Sequence, residues 1–169
     1  MKLCRVLTIA GSDSGGGAGI QADLKTFTVL KAYGMSVLAP EAVGQQLESV
    51  FSDIEIDAVK TGMLFSAPII TEVAAKLQQF NVNNLVVDPV MIAKGGSRLL
   101  EEEATVVLKN ELLPLTTLIT PNIPEAEVLT GVKIATVNDM KTAAKQLVSM
   151  GVQAAVIKGG HLPGEPIDV

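Results

Sequence analysis

The sequence predicts an α/β fold with a central, mostly parallel sheet and helices on both of its faces. Short aliphatic runs alternate with amphipathic helical patterns along the 169 residues, which is the signature of successive strand–helix–strand units. The strand-like runs are apolar throughout instead of alternating with polar residues, as burial on both faces requires. We therefore expect one domain whose ligand sites lie beyond the carboxyl ends of the strands.

The predicted strands are short, and the loops after them carry glycine, proline or polar residues. They cover residues 6–9, 35–39, 58–61, 85–89, 118–121 and 154–158. The predicted helices place apolar residues at helical spacing, and they cover residues 20–32, 41–52, 68–80, 101–112, 124–130 and 137–150. Pro68 in a first turn and an acidic first turn after residue 100 favour two of these helix starts.

The composition excludes several classes of protein. With 48% hydrophobic and 18% charged residues, the chain is typical of a folded domain and not of a disordered one. No apolar run reaches the roughly 18 residues that span a bilayer, so we expect no membrane association. The net charge of −5 and the aromatic content of 3% argue against nucleic acid as a partner.

The amino terminus and the cysteine content indicate a cytoplasmic protein. Residues 1–5 lead directly into a strand-like run, and we recognise no signal peptide in them. Cys4 is the only cysteine, so an internal disulfide cannot form. We expect Cys4 to be a small apolar residue of the core.

A glycine-rich segment, residues 11–19, follows the first predicted strand and opens a helix. Glycine permits close backbone approach and a helix start offers free N–H groups, so the segment can bind a ligand. It is not a P-loop, because no Gly-Lys-Ser/Thr follows. Residues 17–22 fit the dinucleotide fingerprint G-x-G-x-x-A, but no acidic residue ends the next strand to hold a ribose. A purely structural glycine turn is the alternative.

Polar residues also stand at the ends of two later strands. Asp88 ends a buried run, and Asn122 and Glu125 open a helix. A carboxylate and an amide three residues apart on a first helical turn can hold magnesium, through water, beside phosphates. The alternative for Asp88, and for the Asn122 and Glu125 pair, is a helix cap or another structural role.

The remaining strand ends complete one predicted site at one edge of the sheet. Lys158 and Gly159 offer a cation and bare backbone that suit a nucleotide phosphate. Met63 follows another strand and suits packing against a flat ligand. His161 and residues 94–96 are interpreted as loop residues.

The order of these motifs resembles the hydroxymethylpyrimidine/phosphomethylpyrimidine kinases of thiamine biosynthesis. The resemblance is carried by residues 7–27, 33–35, 57–64, 87–91, 120–127 and 157–161, and it extends over nearly the whole chain. It implies a ribokinase-like three-layer αβα sandwich. It also implies transfer of the γ-phosphoryl group of MgATP to the hydroxymethyl group of a pyrimidine, and then to the monophosphate.

The same resemblance implies roles for individual residues. The pyrimidine pocket would be lined by Gly11, Ala18, Asp23, Met63 and Val90, with Asp23 at the substrate hydroxyl. Magnesium would be organised by Asp88 and Glu125, and the nucleotide phosphates by Asn122, Lys158 and Gly159. ATP and Mg²⁺ are the implied cofactors, and a homodimer is the implied assembly.

The sequence departs from the family at two places. A strand meets a helix through Pro40 alone, although such loops usually need roughly 2–6 residues, and the family has a segment there with a glutamine that reads the pyrimidine edge. The family's Gly-Thr-Gly-Cys motif, which supplies the catalytic base and an anion hole, would lie beyond Val169. We interpret residues 1–169 as one kinase domain that lacks a segment near Ala39 and Pro40 and the part with the catalytic loop.

Three alternatives stay open. A pyridoxal or pyridoxine kinase of the same superfamily shares the fold and many of the motifs. A non-catalytic ligand-binding fragment would result if the protein ends at Val169. A dinucleotide-dependent enzyme is the third, and it rests on the weak fingerprint match alone.

Overall fold

The computed structural model describes residues 3–37, 42–91, 100–160 and 165–169. Within them, six strands form one sheet in the order β2-β1-β3-β4-β5-β6, and each neighbouring pair is parallel. The strands are β1 (Arg5–Ile9), β2 (Tyr33–Val37), β3 (Ala58–Thr61), β4 (Leu85–Val87), β5 (Leu118–Ile119) and β6 (Ala154–Ala155). The predicted α/β class with a parallel sheet is confirmed.

Helices alternate with these strands. They are α1 (Gly19–Val29), α2 (Val43–Asp53), α3 (Ala67–Gln79), α4 (Glu102–Val107), α5 (Ile123–Thr130) and α6 (Val137–Ser149). The helix predicted over residues 101–112 is present in two consecutive parts, because α4 ends at Val107 and continues as a π-helical turn, Leu108–Leu112. Pro114 follows in a 3₁₀ turn; it has no N–H, and its ring clashes with the carbonyl four residues earlier, so regular α-helical bonding cannot continue through it.

The last two strands are shorter than predicted. β5 and β6 contain two residues each, and beyond them the pairing continues only as an isolated parallel bridge between Asn122 and Lys158. Pro121 lies between β5 and this bridge and cannot donate to a sheet. The predictions for Ala39, Pro40, His161 and residues 94–96 fall outside the described residues.

The main core lies on one face of the sheet. Leu7 and Ile9 of β1 pack with Ile70 of α3, and all three are at most 2% exposed. Successive residues of a strand point to opposite faces, so Thr8 and Lys60 face the other side, where both bond to α1. Helices therefore cover both faces, as a three-layer sandwich requires.

Cys4 lies outside this core, so the prediction that it is a core residue is wrong. Its residue is exposed just ahead of β1, and its carbonyl accepts the Tyr33 N–H at 2.8 Å. A position before the first strand lies at the rim of the sheet, which the apolar character of the neighbouring run did not indicate. In the described part of the chain, no helix has both the length and the apolar character needed to cross a bilayer.

The strand order creates a topological switch beside β1. β1 lies between β2 and β3, because the chain moves to one side from β1 to β2 and then crosses back to β3. Open α/β sheets bind ligands in the crevice outside the carboxyl ends of two such strands. The loops after Ile9 and Thr61 flank this crevice.

Candidate active site

A cavity of about 400 Å³ opens at the switch point, and we call it the β1–β3 cavity. Its walls come from the loop after β1, from α1, from the end of β3 and from the loop after β4. All five residues that the sequence predicts for a pyrimidine pocket line it: Gly11, Ala18, Asp23, Met63 and Val90. Lys60 and Asp88 line it as well. The volume suits a small ring-shaped ligand.

The glycine-rich segment forms one wall of the cavity, and its backbone N–H groups donate to a carboxylate of the same segment. The Asp13 carboxylate accepts the N–H groups of Gly15 and Gly17 at 3.0 Å and that of Ala18 at 2.9 Å. These bonds, the one from Gly15 above all, lower the pKa of the Asp13 carboxyl. The N–H groups that a phosphate would need are thus bound to a carboxylate of the same loop. The geometry favours the structural turn over a dinucleotide cradle.

Two glycines allow the walls of the cavity to approach each other. Gly19 opens α1 with φ of +60°, and a Cβ there would stand 2.5 Å from the Gly11 carbonyl oxygen. Ile20 donates its N–H to the same oxygen at 3.0 Å, which fixes the first turn of α1 against the end of β1. A Cβ on Gly11 would stand 2.9 Å from Cε of Met63. Side chains at Gly11 or Gly19 would therefore disturb the cavity wall.

Asp23 presents a carboxylate to the cavity from α1. Thr8 Oγ1 donates to Asp23 Oδ2 at 2.6 Å, and Lys60 Nζ donates to the same oxygen at 2.9 Å. No hydrogen bond from any described residue reaches Oδ1. That oxygen can accept a hydrogen bond from a ligand hydroxyl.

Sequence reasoning assigned no role to Thr8 or Lys60. Thr8 is fully buried, and the Lys60 side chain is 22% exposed. The signal that could have found them is a polar residue within a strand that is buried on both faces, because a buried polar group needs a partner.

A second group of polar residues lies at the ends of β4, β5 and β6. We call Asp88, Asn122, Glu125 and Lys158 the β4–β6 cluster. Lys158 Nζ lies 2.9 Å from Asp88 Oδ1, and the backbone of Lys158 pairs with that of Asn122. Since Asp88 also lines the β1–β3 cavity, the predicted nucleotide side and the predicted substrate side adjoin each other.

Within this cluster, Asn122 and Glu125 form a capping box at the start of α5. Asn122 Oδ1 accepts the Glu125 N–H at 2.9 Å, and Glu125 Oε2 accepts the Asn122 N–H at 2.8 Å. The Met91 N–H reaches Glu125 Oε1 at 3.4 Å. Burial raises the pKa of the Glu125 carboxyl in spite of these donors. The helix-cap alternative is thus what the geometry shows, and direct metal binding by Glu125 would compete with these bonds.

Asp88 is the carboxylate of the cluster that could hold a metal ion without breaking the capping box. Among the described residues, no group of three or more His, Cys, Asp or Glu is arranged to hold a metal ion. Mg²⁺ nevertheless often binds through one or two carboxylates together with substrate phosphates, and Asp88 meets that requirement.

Gly159, which the resemblance places at the nucleotide phosphates, already donates its N–H to Asp168 Oδ1 at 3.0 Å, and a Cβ on Gly159 would clash with the backbone of Ile167.

Comparison with known proteins gives consistent matches along the chain. The family model described as phosphomethylpyrimidine kinase matches residues 13–40 and 37–169. The hydroxymethylpyrimidine/phosphomethylpyrimidine kinase of Bacillus subtilis is 51% identical over 180 residues, which cover 96% of this chain and 66% of that protein. The Escherichia coli counterpart is 45% identical, with coverage of 98% and 69%. The chain thus spans about two thirds of the length of these relatives.

Solved structures agree with the sequence matches. The crystal structure of phosphomethylpyrimidine kinase from Clostridium difficile 630 is 47% identical with a TM-score of 0.92, and covers 98% of this chain and 79% of that chain. Bacillus subtilis pyridoxal kinase, solved as an ADP complex, is 40% identical with a TM-score of 0.92, and covers 99% of this chain and 71% of that chain. With the matched family model spanning most of its length, this chain belongs to the phosphomethylpyrimidine kinase family of ribokinase-like proteins.

Proposed function

We propose that this protein phosphorylates 4-amino-5-hydroxymethyl-2-methylpyrimidine and its monophosphate with ATP, as a step of thiamine biosynthesis. The observation that carries the proposal is the β1–β3 cavity, on which five residues from separate segments converge. The names of the relatives at 51% and 45% identity support the same substrates.

The chemistry of the cavity suits a small heterocyclic alcohol. Asp23 Oδ1 would accept the hydrogen bond of the hydroxymethyl group, since Oδ2 already binds Thr8 and Lys60. Met63 and Val90 would pack against the two faces or the edge of the pyrimidine ring, because both are apolar and line the cavity. Gly11 and Ala18 are small enough to leave space for the ring.

ATP would lie over the β4–β6 cluster. Lys158, Gly159 and Asn122 would bind its phosphates, and Asp88 would hold Mg²⁺, with Glu125 acting on the ion through water. When bound, Mg²⁺ neutralises charge on the phosphoryl group that is transferred. Nucleotide use is supported by Staphylococcus aureus pyridoxal kinase, which is 39% identical to this chain and was solved with ADP.

The proposal includes a gap in this chain relative to its family, near Ala39 and Pro40. The two matched stretches of the family model meet at residues 37–40, and the alignment with the Bacillus subtilis relative extends over 180 positions against 169 residues here. The catalytic residue is unassigned, because the resemblance implies that it belongs to a Gly-Thr-Gly-Cys motif, and residues 1–169 do not contain this motif. A homodimer, which rests on the family resemblance, and a cytoplasmic location, which the single cysteine favours, belong to the same proposal.

A pyridoxal kinase is the second candidate. It is favoured by the TM-score of 0.92 with Bacillus subtilis pyridoxal kinase. The higher sequence identity to the pyrimidine kinases, 51% against 40%, favours the pyrimidine substrates.

The experiment is a phosphorylation assay read by mass spectrometry of the small molecules. The full-length protein, including the segment expected to carry the Gly-Thr-Gly-Cys motif, is incubated with ATP and Mg²⁺, and with either hydroxymethylpyrimidine or pyridoxine. We expect the pyrimidine to gain one phosphate and then a second. The Asp88→Asn variant should lower turnover by at least about 100-fold, because Mg²⁺ would lose its carboxylate. Faster turnover of pyridoxine would favour the second candidate, and no ATP-dependent product from either compound would contradict both.

A further inference from the structure

We propose that Lys60 is a specificity-determining residue, which lets the β1–β3 cavity accept a phosphate monoester as well as a neutral alcohol. The inference rests on the proposed function, because the two substrates are those in the names of the relatives. It goes beyond that function by assigning the choice between them to one side chain.

Lys60 is placed to act on a ligand in the cavity. It contributes the one cationic side chain to the described lining of the cavity, beside the carboxylates of Asp13, Asp23 and Asp88. Its Nζ lies 2.9 Å from Asp23 Oδ2, and a Cβ on Gly62 would stand 2.9 Å from the same Nζ. The ammonium group therefore lies at the wall between α1 and the end of β3, next to the carboxylate that would meet the substrate.

The two substrates make different electrostatic demands at this position. A neutral hydroxymethyl group needs only an acceptor, and Asp23 Oδ1 supplies one. A phosphomethyl group would bring up to two negative charges close to the Asp23 carboxylate, and like charges at such a distance repel strongly in a site of low dielectric constant. Binding of the monophosphate thus requires a cation beside Asp23.

Lys60 meets this requirement better than the other candidate groups of the predicted site. An ammonium group has three N–H donors, and the bond to Asp23 uses one. The remaining donors can form charge-assisted hydrogen bonds with phosphate oxygens. Lys158, the other cation of the predicted site, is not among the residues that line the β1–β3 cavity, and the N–H groups around Asp13 are already bound to its carboxylate.

Thr8 holds the Asp23 carboxylate in place independently of Lys60. Its Oγ1 holds Asp23 Oδ2 at 2.6 Å, so the carboxylate stays oriented when Lys60 turns towards a phosphate. Removal of the Lys60 charge should therefore weaken binding of the monophosphate far more than binding of the alcohol.

The test is isothermal titration calorimetry of the full chain, without nucleotide, with hydroxymethylpyrimidine and with its monophosphate. The variants are Lys60→Gln, Lys60→Arg and the control Lys76→Gln. Lys76 is a matched control, because it also pairs with a carboxylate, that of Glu48, and its side chain is 19% exposed against 22% for Lys60. It joins α3 to α2, away from the cavity.

We expect Lys60→Gln to reduce the affinity for the monophosphate at least about tenfold more than the affinity for the alcohol. Lys60→Arg should restore most of the monophosphate affinity, and Lys76→Gln should leave the ratio of the two affinities unchanged. In the wild type, the monophosphate affinity should fall more steeply with salt than the alcohol affinity.

Equal losses for both ligands in Lys60→Gln would overturn the inference and leave the proposed function standing. Binding of neither ligand by the wild type would contradict the proposed function, and the inference with it. If thermal unfolding shows that Lys60→Gln does not fold, the wild-type salt dependence decides: equal dependence for both ligands overturns the inference.

Discussion

The β1–β3 cavity and the β4–β6 cluster stand at the same edge of the sheet but are built in opposite ways. The cavity is shaped by backbone and small residues, and it leaves Asp23 Oδ1 open to a ligand. In the cluster, the Lys158 side chain already pairs with Asp88, and the side chains of Asn122 and Glu125 each accept the backbone N–H of the other residue. The cavity could receive a ring-sized ligand without rearrangement, whereas the cluster would have to exchange internal bonds for bonds to a ligand.

This difference has a physical basis in charge. A partly buried carboxylate or ammonium needs a partner, so the charges of the cluster compensate each other until a charged ligand replaces one partner. A neutral pyrimidine alcohol demands no such exchange, and an open cavity suffices.

Substitution of Gly19 by Ala tests whether the cavity wall depends on close backbone approach. Gly131 is the matched control: its φ is +76°, against +60° for Gly19, but nothing lies within 4 Å of the added Cβ. We expect Gly131→Ala to lower the free energy of unfolding by about 1 kcal/mol and Gly19→Ala by about 3 kcal/mol or more, because its Cβ also meets the Gly11 carbonyl.

Urea unfolding followed by circular dichroism measures both losses of stability. Equal losses in the two variants would show that only the backbone conformation matters at Gly19, and that the close contact with Gly11 carries no strain.

The capping boxes of α5 and α6 should respond to pH with opposite sign. Burial raises the pKa of Glu125 above its ordinary value of 4.5. Its contribution to stability is fully present below about pH 4.5 and is lost as the pH rises through the raised pKa. The Thr136 hydroxyl lowers the pKa of Asp139 below 3.8, so the contribution of Asp139 is present above that pH and is lost as the pH falls.

The measurement is the free energy of unfolding of Glu125→Gln and Asp139→Asn relative to the wild type over a series of pH values. The advantage of the wild type over Glu125→Gln should shrink as the pH rises from 4.5. Its advantage over Asp139→Asn should grow as the pH rises to 3.8. Two advantages that change in the same direction would contradict the assigned burial of Glu125.

The smallest effect is expected at Thr61, at the end of β3 between the two sites. Its hydroxyl is buried, and no hydrogen-bond partner is found for it among the described residues. Thr61→Val keeps the shape and removes the unpaired group, so we expect the free energy of unfolding to rise by about 1 kcal/mol. A loss of stability, measured by the same urea titration, would mean that the hydroxyl has a partner.

The pattern of the sequence predicted the sheet, and the family resemblance implied five of the residues that line the cavity. Apolar strands that alternate with helices are a local pattern, and parallel strands bring the loops at their carboxyl ends to one edge. The pairing of Lys60 with Asp23 was missed because it joins residues 37 positions apart on different elements. The hydrogen bonds from the Gly15, Gly17 and Ala18 N–H groups to the Asp13 carboxylate were not predicted, because the segment was interpreted from its glycines. An Asp at the start of such a turn commonly binds the backbone that follows it.

The predicted ends of helices and strands differ from the observed ones where tertiary contacts or a proline determine them. The π-helical turn at Leu108–Leu112 follows an unbroken helical pattern and ends just before Pro114, and β6 is shorter than its apolar run. Helical periodicity reports the apolar face of a segment and not the hydrogen-bond spacing within it, so the sequence could not reveal the turn.

The most direct test of the two-site arrangement is the change in backbone amide chemical shifts when each ligand is added alone. We expect hydroxymethylpyrimidine to shift the amides of Gly11, Ala18 and Met63, and MgATP to shift those of Asn122 and Gly159. Shifts by both ligands in one and the same group of residues, or by neither ligand in either group, would contradict a pyrimidine site in the β1–β3 cavity beside a nucleotide site at the β4–β6 cluster.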